Sequence, residues 1–497
     1  MSTPDLQPDA GTAAGPSPLA GVRRRLHPAW IVAAVSFVAL IGAAGFRSAP
    51  GVLIVPLQDE FGWSRTLLSV AVGINLVLYG LTAPFAAALM DRFGIRAVTT
   101  SALPLVAAGS GLTVFVAAGW QLVLLWGVLI GLGTGSMALV FAATIANRWF
   151  VRRRGLVMGV LTAASATGQL IFLPMLAWLA ERYGWRAASL MISLAALAVV
   201  PLVLRFVRNF PSDLGVRPYG ADDGAGQQVD AIPGEAGLPA GPGAPAATGL
   251  PAGPGAPAAT GLPAEAEARA ATGVPVEAGA PAVVGTSTAP AGAVRRTIST
   301  LLTVAHTRTF WALAIGFAIC GATTNGLIAT HFVPAAHDHG MPSTTAAGLL
   351  AVVGIFDVAG TIASGALTDR INPRILLAIY YAMRGVGLLM LPALLSDSVH
   401  PSMLAFIIVY GLDWVATVPP TAALCAEAFG ELGTIVFGWV FAAHMIGAAL
   451  ASVGAGYIRD LTSDYTMAWL GAGGLCAVAA LMSLGIRKVP RPVAPIE

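Results

Sequence analysis

The chain has 497 residues, 56% of them hydrophobic and only 10% charged, with a formal net charge of +3. A soluble domain carries about 25% charged residues, so a soluble fold is excluded, and so small a net charge gives no footing for a nucleic-acid partner. Apolar stretches of about 20 residues recur without strand-type alternation, which excludes a closed barrel and leaves helices to satisfy the backbone in lipid. The fold class expected is an all-α integral membrane protein.

In chain order, residues 1–28 form a polar tail rich in Pro, Ala and Gly, expected to be disordered. The apolar run behind it is too long for a signal-peptide core, so span 1 reads as an uncleaved anchor. Spans 1 to 6 are expected at 29–57, 65–90, 97–118, 121–148, 156–180 and 186–207, an N-terminal six-helix half covering 29–210. Residues 211–305 are dominated by Gly, Pro and Ala, a composition that cannot bury a core and predicts a disordered linker leaving the halves free to rock. Within it Leu238–Gly249 is repeated at once as Leu250–Gly261, which reads as slippage; Gly does not recur every third residue, so collagen is excluded. Spans 7 to 12 are expected at 309–334, 343–368, 375–395, 401–428, 433–457 and 466–486, a C-terminal six-helix half covering 306–487, followed by a tail at 488–497.

The charge distribution gives an orientation, because Lys and Arg concentrate on the cytoplasmic side of membrane proteins. With the N-terminus inside, Arg23, Arg24, Arg25, Arg92, Arg96, Arg148, Arg152, Arg153, Arg154, Arg370, Arg374, Arg487 and Lys488 share one side. The other keeps only Arg65, Arg182, Arg186 and Arg459. Both termini are therefore expected in the cytoplasm, with the chain in the plasma or inner membrane.

Two short polar elements punctuate the halves at matched places, each after the second span: Met90-Asp91-Arg92-Phe93-Gly94-Ile95-Arg96 and Thr368-Asp369-Arg370-Ile371-Asn372-Pro373-Arg374. This repeated Asp-Arg-x-x-x-Arg pattern resembles the inter-helix signature of the major facilitator superfamily, whose 6+6 fold the span count matches. The resemblance implies cytoplasmic gate contacts that hold an outward-open state, carried by Asp91, Arg92, Arg96, Asp369, Arg370 and Arg374. Asn372 stands in the second copy where the first keeps Gly94.

The run Arg148-Trp149-Phe150-Val151-Arg152-Arg153-Arg154-Gly155-Leu156-Val157-Met158-Gly159 resembles a cytoplasmic segment of monocarboxylate transporters and bacterial oxalate/formate exchangers, as does Phe61-Gly62-Trp63-Ser64-Arg65. In span 8, Asp357 matches the proton-handling Asp of that group, but Thr361 occupies the position of its carboxylate-binding Arg. The fifth span, from Gly159 to Gly168 with a lone Pro174, lacks the element of drug/proton antiporters. Gly131, Gly133 and Gly135 follow no strand, so they read as helix packing and not as a phosphate loop.

Charges inside spans are costly and must face the bundle interior. Four are expected near mid-span: Arg47, Asp357, Arg384 and Asp413. Arg47 either meets the substrate or pairs with Asp357; Arg384 is expected to anchor Asp357 or Asp413. His444 either carries a proton or donates one packing hydrogen bond. Asn75, Gln169 and Asn325 either bind substrate or link helices. His331, His337 and His339 with Asp338 are expected in a wet outer loop with no thiolate, which argues against a metal. Glu427 is expected to reach water. Cys320, Cys425 and Cys476 are far apart in apolar runs and read as buried small hydrophobes.

The expected function is secondary transport by alternating access, with a site between the halves near the midplane. No P-loop is present, so an ion or solute gradient drives it. The substrate expected is a small organic anion such as a monocarboxylate, coupled to protons in a monomer without cofactors. The alternative is efflux of a larger amphiphile or drug. No clustered catalytic set supports an enzyme.

Overall fold

The computed structural model describes residues 27–137, 139–221 and 290–486. Eleven helices in it are long and apolar enough to cross a membrane. One of them, Pro401–Thr462, doubles back at the short Gly430–Leu432 turn, so the crossings number twelve. Spans 1 to 6 are Pro28–Phe61, Arg65–Phe93, Ile95–Phe115, Gly119–Trp149, Arg154–Tyr183 and Trp185–Phe206. Spans 7 to 12 are Arg308–Asp338, Ser343–Thr368, Pro373–Leu394, Pro401–Phe429, Gly433–Thr462 and Thr466–Leu484. One end of the bundle carries the Asp-Arg elements and is called the arginine-rich face; the other is the Arg65 face.

Local chemistry sets the span ends. Gly62, at φ +64°, ends span 1 by returning its N–H to the Gln58 carbonyl at 2.8 Å, and Ser64 caps span 2 by accepting from the Leu67 N–H at 3.2 Å. Gly94 turns the chain between spans 2 and 3 at φ +86°, where an added Cβ would meet the Asn209 side chain at 2.4 Å. Both the dihedral and the space require glycine there.

Spans 2 and 11 form the main seam between the halves. A Cβ at Gly80 would lie 2.5 Å from Met445 Cβ, and one at Gly73 would lie 3.0 Å from Val453. In lipid, where apolar surface gains nothing by leaving the solvent, such close backbone approach is what drives helices together. Spans 5 and 8 make a second seam, and spans 1 and 7 a third.

Two spans are irregular. Span 7 widens into a π-helical turn over Ala322–Ile328 as it presses on span 11, and Gly326 there sits where a Cβ would meet the Ala448 carbonyl at 2.3 Å. Span 10 is broken into Pro401–Asp413 and Val418–Phe429, with Pro419 and Pro420 in the first turn of the second piece.

The ends of the stretch expected to be featureless carry structure. Tyr219 pairs with the chain near Trp149, donating its N–H to the Trp149 carbonyl at 2.8 Å, and packs on Trp30 and Phe150. Pro290–Val304 is a helix whose Thr300 and Val304 are buried against the bundle. An average over 211–305 hides both, because the Gly/Pro/Ala composition belongs to the middle. The tandem copy, residues 1–26 and residues 487–497 lie outside the described residues.

Candidate functional site

Arg47 lies near the middle of span 1, partly buried, and donates to the Tyr79 hydroxyl of span 2 at 3.2 Å with its guanidinium 5.0 Å from that ring's centre. Tyr79 faces Phe441 of span 11 across the seam, at 6.1 Å between rings. Phe441 in turn stacks on His444 at 5.9 Å and 7°. A cation and an aromatic wall drawn from both halves thus meet at mid-depth. Among the described residues no carboxylate pairs with Arg47.

His444 is buried, with both ring nitrogens engaged. Nδ1 lies 3.1 Å from the Phe317 carbonyl, and Nε2 lies 3.1 Å from the Asn325 amide nitrogen, which the π-helical turn of span 7 presents. A carbonyl only accepts, so Nδ1 bears the proton and Nε2 accepts from Asn325. The sequence left His444 open between proton carrier and packing group; the geometry matches a neutral ring that ties span 11 to span 7.

The other three buried charges meet at the break in span 10. Arg384 Nε donates to Asp413 Oδ2 at 2.7 Å, with side-chain exposures of 0% and 2%. Its Nη2 donates to the Asp413 carbonyl at 2.6 Å, and its Nη1 to Cys320 Sγ at 2.9 Å. Asp357 Oδ1 accepts from the Val415 N–H and from the Thr361 hydroxyl, both at 3.1 Å. A guanidinium thus sits at the carbonyl end of the first half-helix, and a carboxylate takes a freed N–H just ahead of the second. Each charge matches the sign of the helix dipole it meets. Of the two partners expected for Arg384, the structure selects Asp413. The Arg47–Asp357 pair does not form: each side chain is held within its own half.

The remaining amides divide. Asn75 donates to the Trp126 carbonyl at 2.8 Å, linking spans 2 and 4, while Gln169 is partly buried. Glu427 is exposed, and the three cysteines are free and buried.

On the arginine-rich face, Asp91 pairs with Arg148 and Arg96 donates to the Leu204 carbonyl at 2.6 Å, both inside the N-terminal half. Arg92 lies over the Phe93 ring. Asp369, Arg370 and Arg374 make no ion pair among the described residues. No described salt bridge joins the halves on this face.

The Arg65 face is tied shut, in part by Arg65, His331 and Asp338, which sequence reasoning named but did not assign to closure. Arg65, 3% exposed, forks onto Asp338 of span 7 at 2.7 and 2.9 Å and donates to the Tyr465 hydroxyl at 2.7 Å. Tyr465 bonds His331 Nδ1 at 3.2 Å, and His331 Nε2 lies 2.9 Å from the Ser452 carbonyl. His331 is fully buried, contrary to the expected wet loop, because span 7 continues helically to Asp338. Asp460, near the end of span 11, accepts from the Arg65 and Thr66 N–H groups at the start of span 2. Glu181, near the end of span 5, accepts from the Thr344 N–H at the start of span 8, at 2.8 Å. Each carboxylate caps a helix of the opposite half. The available signal was the pairing of acids at the ends of spans 5 and 11, equivalent positions in the two halves.

The Major Facilitator Superfamily model matches residues 35–437. An uncharacterized MFS-type transporter, YcxA of Bacillus subtilis (strain 168), is 25% identical over 481 residues, covering 93% of this chain and 95% of that protein. Monocarboxylate transporter 13 of Bos taurus is 26% identical over 452 residues, covering 89% and 86%. Among solved structures, a D-xylose-proton symporter superposes with a TM-score of 0.61 at 14% identity, covering 93% of this chain and 98% of that one, a likeness of fold.

Proposed function

Because the chain belongs to the major facilitator superfamily and is a multi-pass membrane transporter, we propose that it moves a small organic anion, a monocarboxylate, by alternating access coupled to protons. The observation that carries this reading is Arg47. Its described partners are the neutral hydroxyl and ring of Tyr79, whereas the other mid-span cation, Arg384, is neutralised by Asp413. A partly buried guanidinium without a carboxylate partner among the described residues calls for an anion, and in a partly dry site that attraction far exceeds its value in water. The anion's apolar end would meet Tyr79 and Phe441.

For the coupling proton the reading favours Asp357. It is held by neutral donors, while Asp413 is locked to Arg384. Charge bias supports an arginine-rich face on the cytoplasmic side. The closed Arg65 face is then the outer one, and the Asp-Arg elements engage across the halves only when it opens.

The test is uptake of labelled monocarboxylates into proteoliposomes. Arg47→Gln should reduce uptake at least about tenfold, the loss of roughly one charge-assisted contact, while the protein still inserts. Arg47→Lys should retain part of it. Wild-type uptake of every transported anion by Arg47→Gln, or transport of amphiphilic drugs alone, would refute the proposal.

A further inference from the structure

The helix Pro290–Val304 has a flank that the bundle leaves uncovered. Its inner side lies against spans 2 and 11, one from each half, and its Thr297 carbonyl accepts the Trp439 indole N–H at 3.0 Å. On another side Ile298 is 43% and Leu302 64% exposed, four residues apart and therefore stacked one turn above the other. Arg295 and Arg296 in the preceding turn are also exposed, and neither forms an ion pair among the described residues.

Span 7 begins at Arg308, shortly after this helix ends, and Trp311, 52% exposed, donates its Nε1–H back to the Ala305 carbonyl at 2.8 Å. So short a tether to a membrane crossing holds the helix at the level of the bilayer surface. Two apolar side chains are far too little area for a stable protein interface. Guanidinium groups beside an apolar strip match a surface where phosphates border acyl chains.

We propose that this flank docks on anionic phospholipid headgroups, with Arg295 and Arg296 on the phosphates and Ile298 and Leu302 in the acyl boundary. The helix then straps the seam of spans 2 and 11 to the leaflet on the arginine-rich side.

Hydrogen exchange of residues 290–304, measured on the full-length protein in nanodiscs of phosphatidylcholine alone or mixed with phosphatidylglycerol, tests this. Exchange should be roughly tenfold slower with phosphatidylglycerol, since each surface arginine favours an anionic leaflet severalfold. The difference should vanish in Arg295→Gln/Arg296→Gln while exchange in the spans stays unchanged. Should that variant express poorly, high salt on the wild type is the second measure, because screening must erase the same difference. Equal exchange in the two bilayers, or protection that survives both the substitutions and salt, overturns the proposal.

Discussion

Asp460 caps a helix to which its own half does not belong. Its carboxylate accepts from the N–H of Arg65 at 3.0 Å, although the two residues are 395 positions apart and in opposite halves. Together with Glu181 on Thr344, it makes closure of the Arg65 face a matter of helix capping as well as of the Arg65–Asp338 ion pair.

Weakening these caps should favour opening of that face. Loss of a cap to alanine costs about 0.5–2 kcal/mol, so Asp460→Ala with Glu181→Ala should shift the two states severalfold or more. Ser69, fully buried in the seam of spans 2 and 11, is the reporter. A cysteine placed there should react with a membrane-impermeant thiol reagent several times faster in the capless background. An unchanged rate would mean that the caps do not hold the face closed.

Breaking the Arg384–Asp413 pair should damage folding more than transport chemistry. Removing one partner of a buried pair costs about 3–5 kcal/mol, because the other charge is stranded. Asp413→Leu and Arg384→Met should each lower the thermal midpoint in detergent, and Arg384→Met/Asp413→Leu together should recover much of the loss. A double variant as unstable as the sum of the singles would indicate independent roles.

Asp357→Asn keeps an oxygen for the Val415 N–H but cannot ionise. Exchange of substrate across the membrane should persist, while acceleration by an inward proton gradient should disappear. In the wild type, uptake should fall as the pH of the donor side rises, since the proton must be taken from that side. Retained acceleration in the variant would move the coupling site elsewhere.

Asp91→Asn should leave insertion intact and slow turnover, because the Asp91–Arg148 pair fixes the first Asp-Arg element against its own half. The exposed carboxylate makes a stability effect small, within about 1 kcal/mol. Normal turnover at normal expression would argue against a gate role.

The spans were legible because bilayer thickness converts directly into run length: expected 65–90 and 343–368 correspond to Arg65–Phe93 and Ser343–Thr368. The break in span 10 was not, although Pro419-Pro420 signals a helix start, because an apolar run looks the same whether continuous or interrupted. Sequence left Arg47 open between substrate contact and a pair with Asp357, since counting signs carries no distance. In sequence Arg65 reads only as the end of the Phe61–Arg65 run and as one of the few cations on its side, because its partners arrive from helix ends hundreds of residues away.

The two caps run from span 5 to span 8 and from span 11 to span 2, the same pair of positions taken twice. A six-span ancestor docking on a second copy of itself would have formed both at once, since an isologous contact is repeated by its own symmetry axis. Closure of the Arg65 face therefore has the form of an isologous dimer interface carried within one chain, and the Arg65–Asp338 pair makes its two sides unequal.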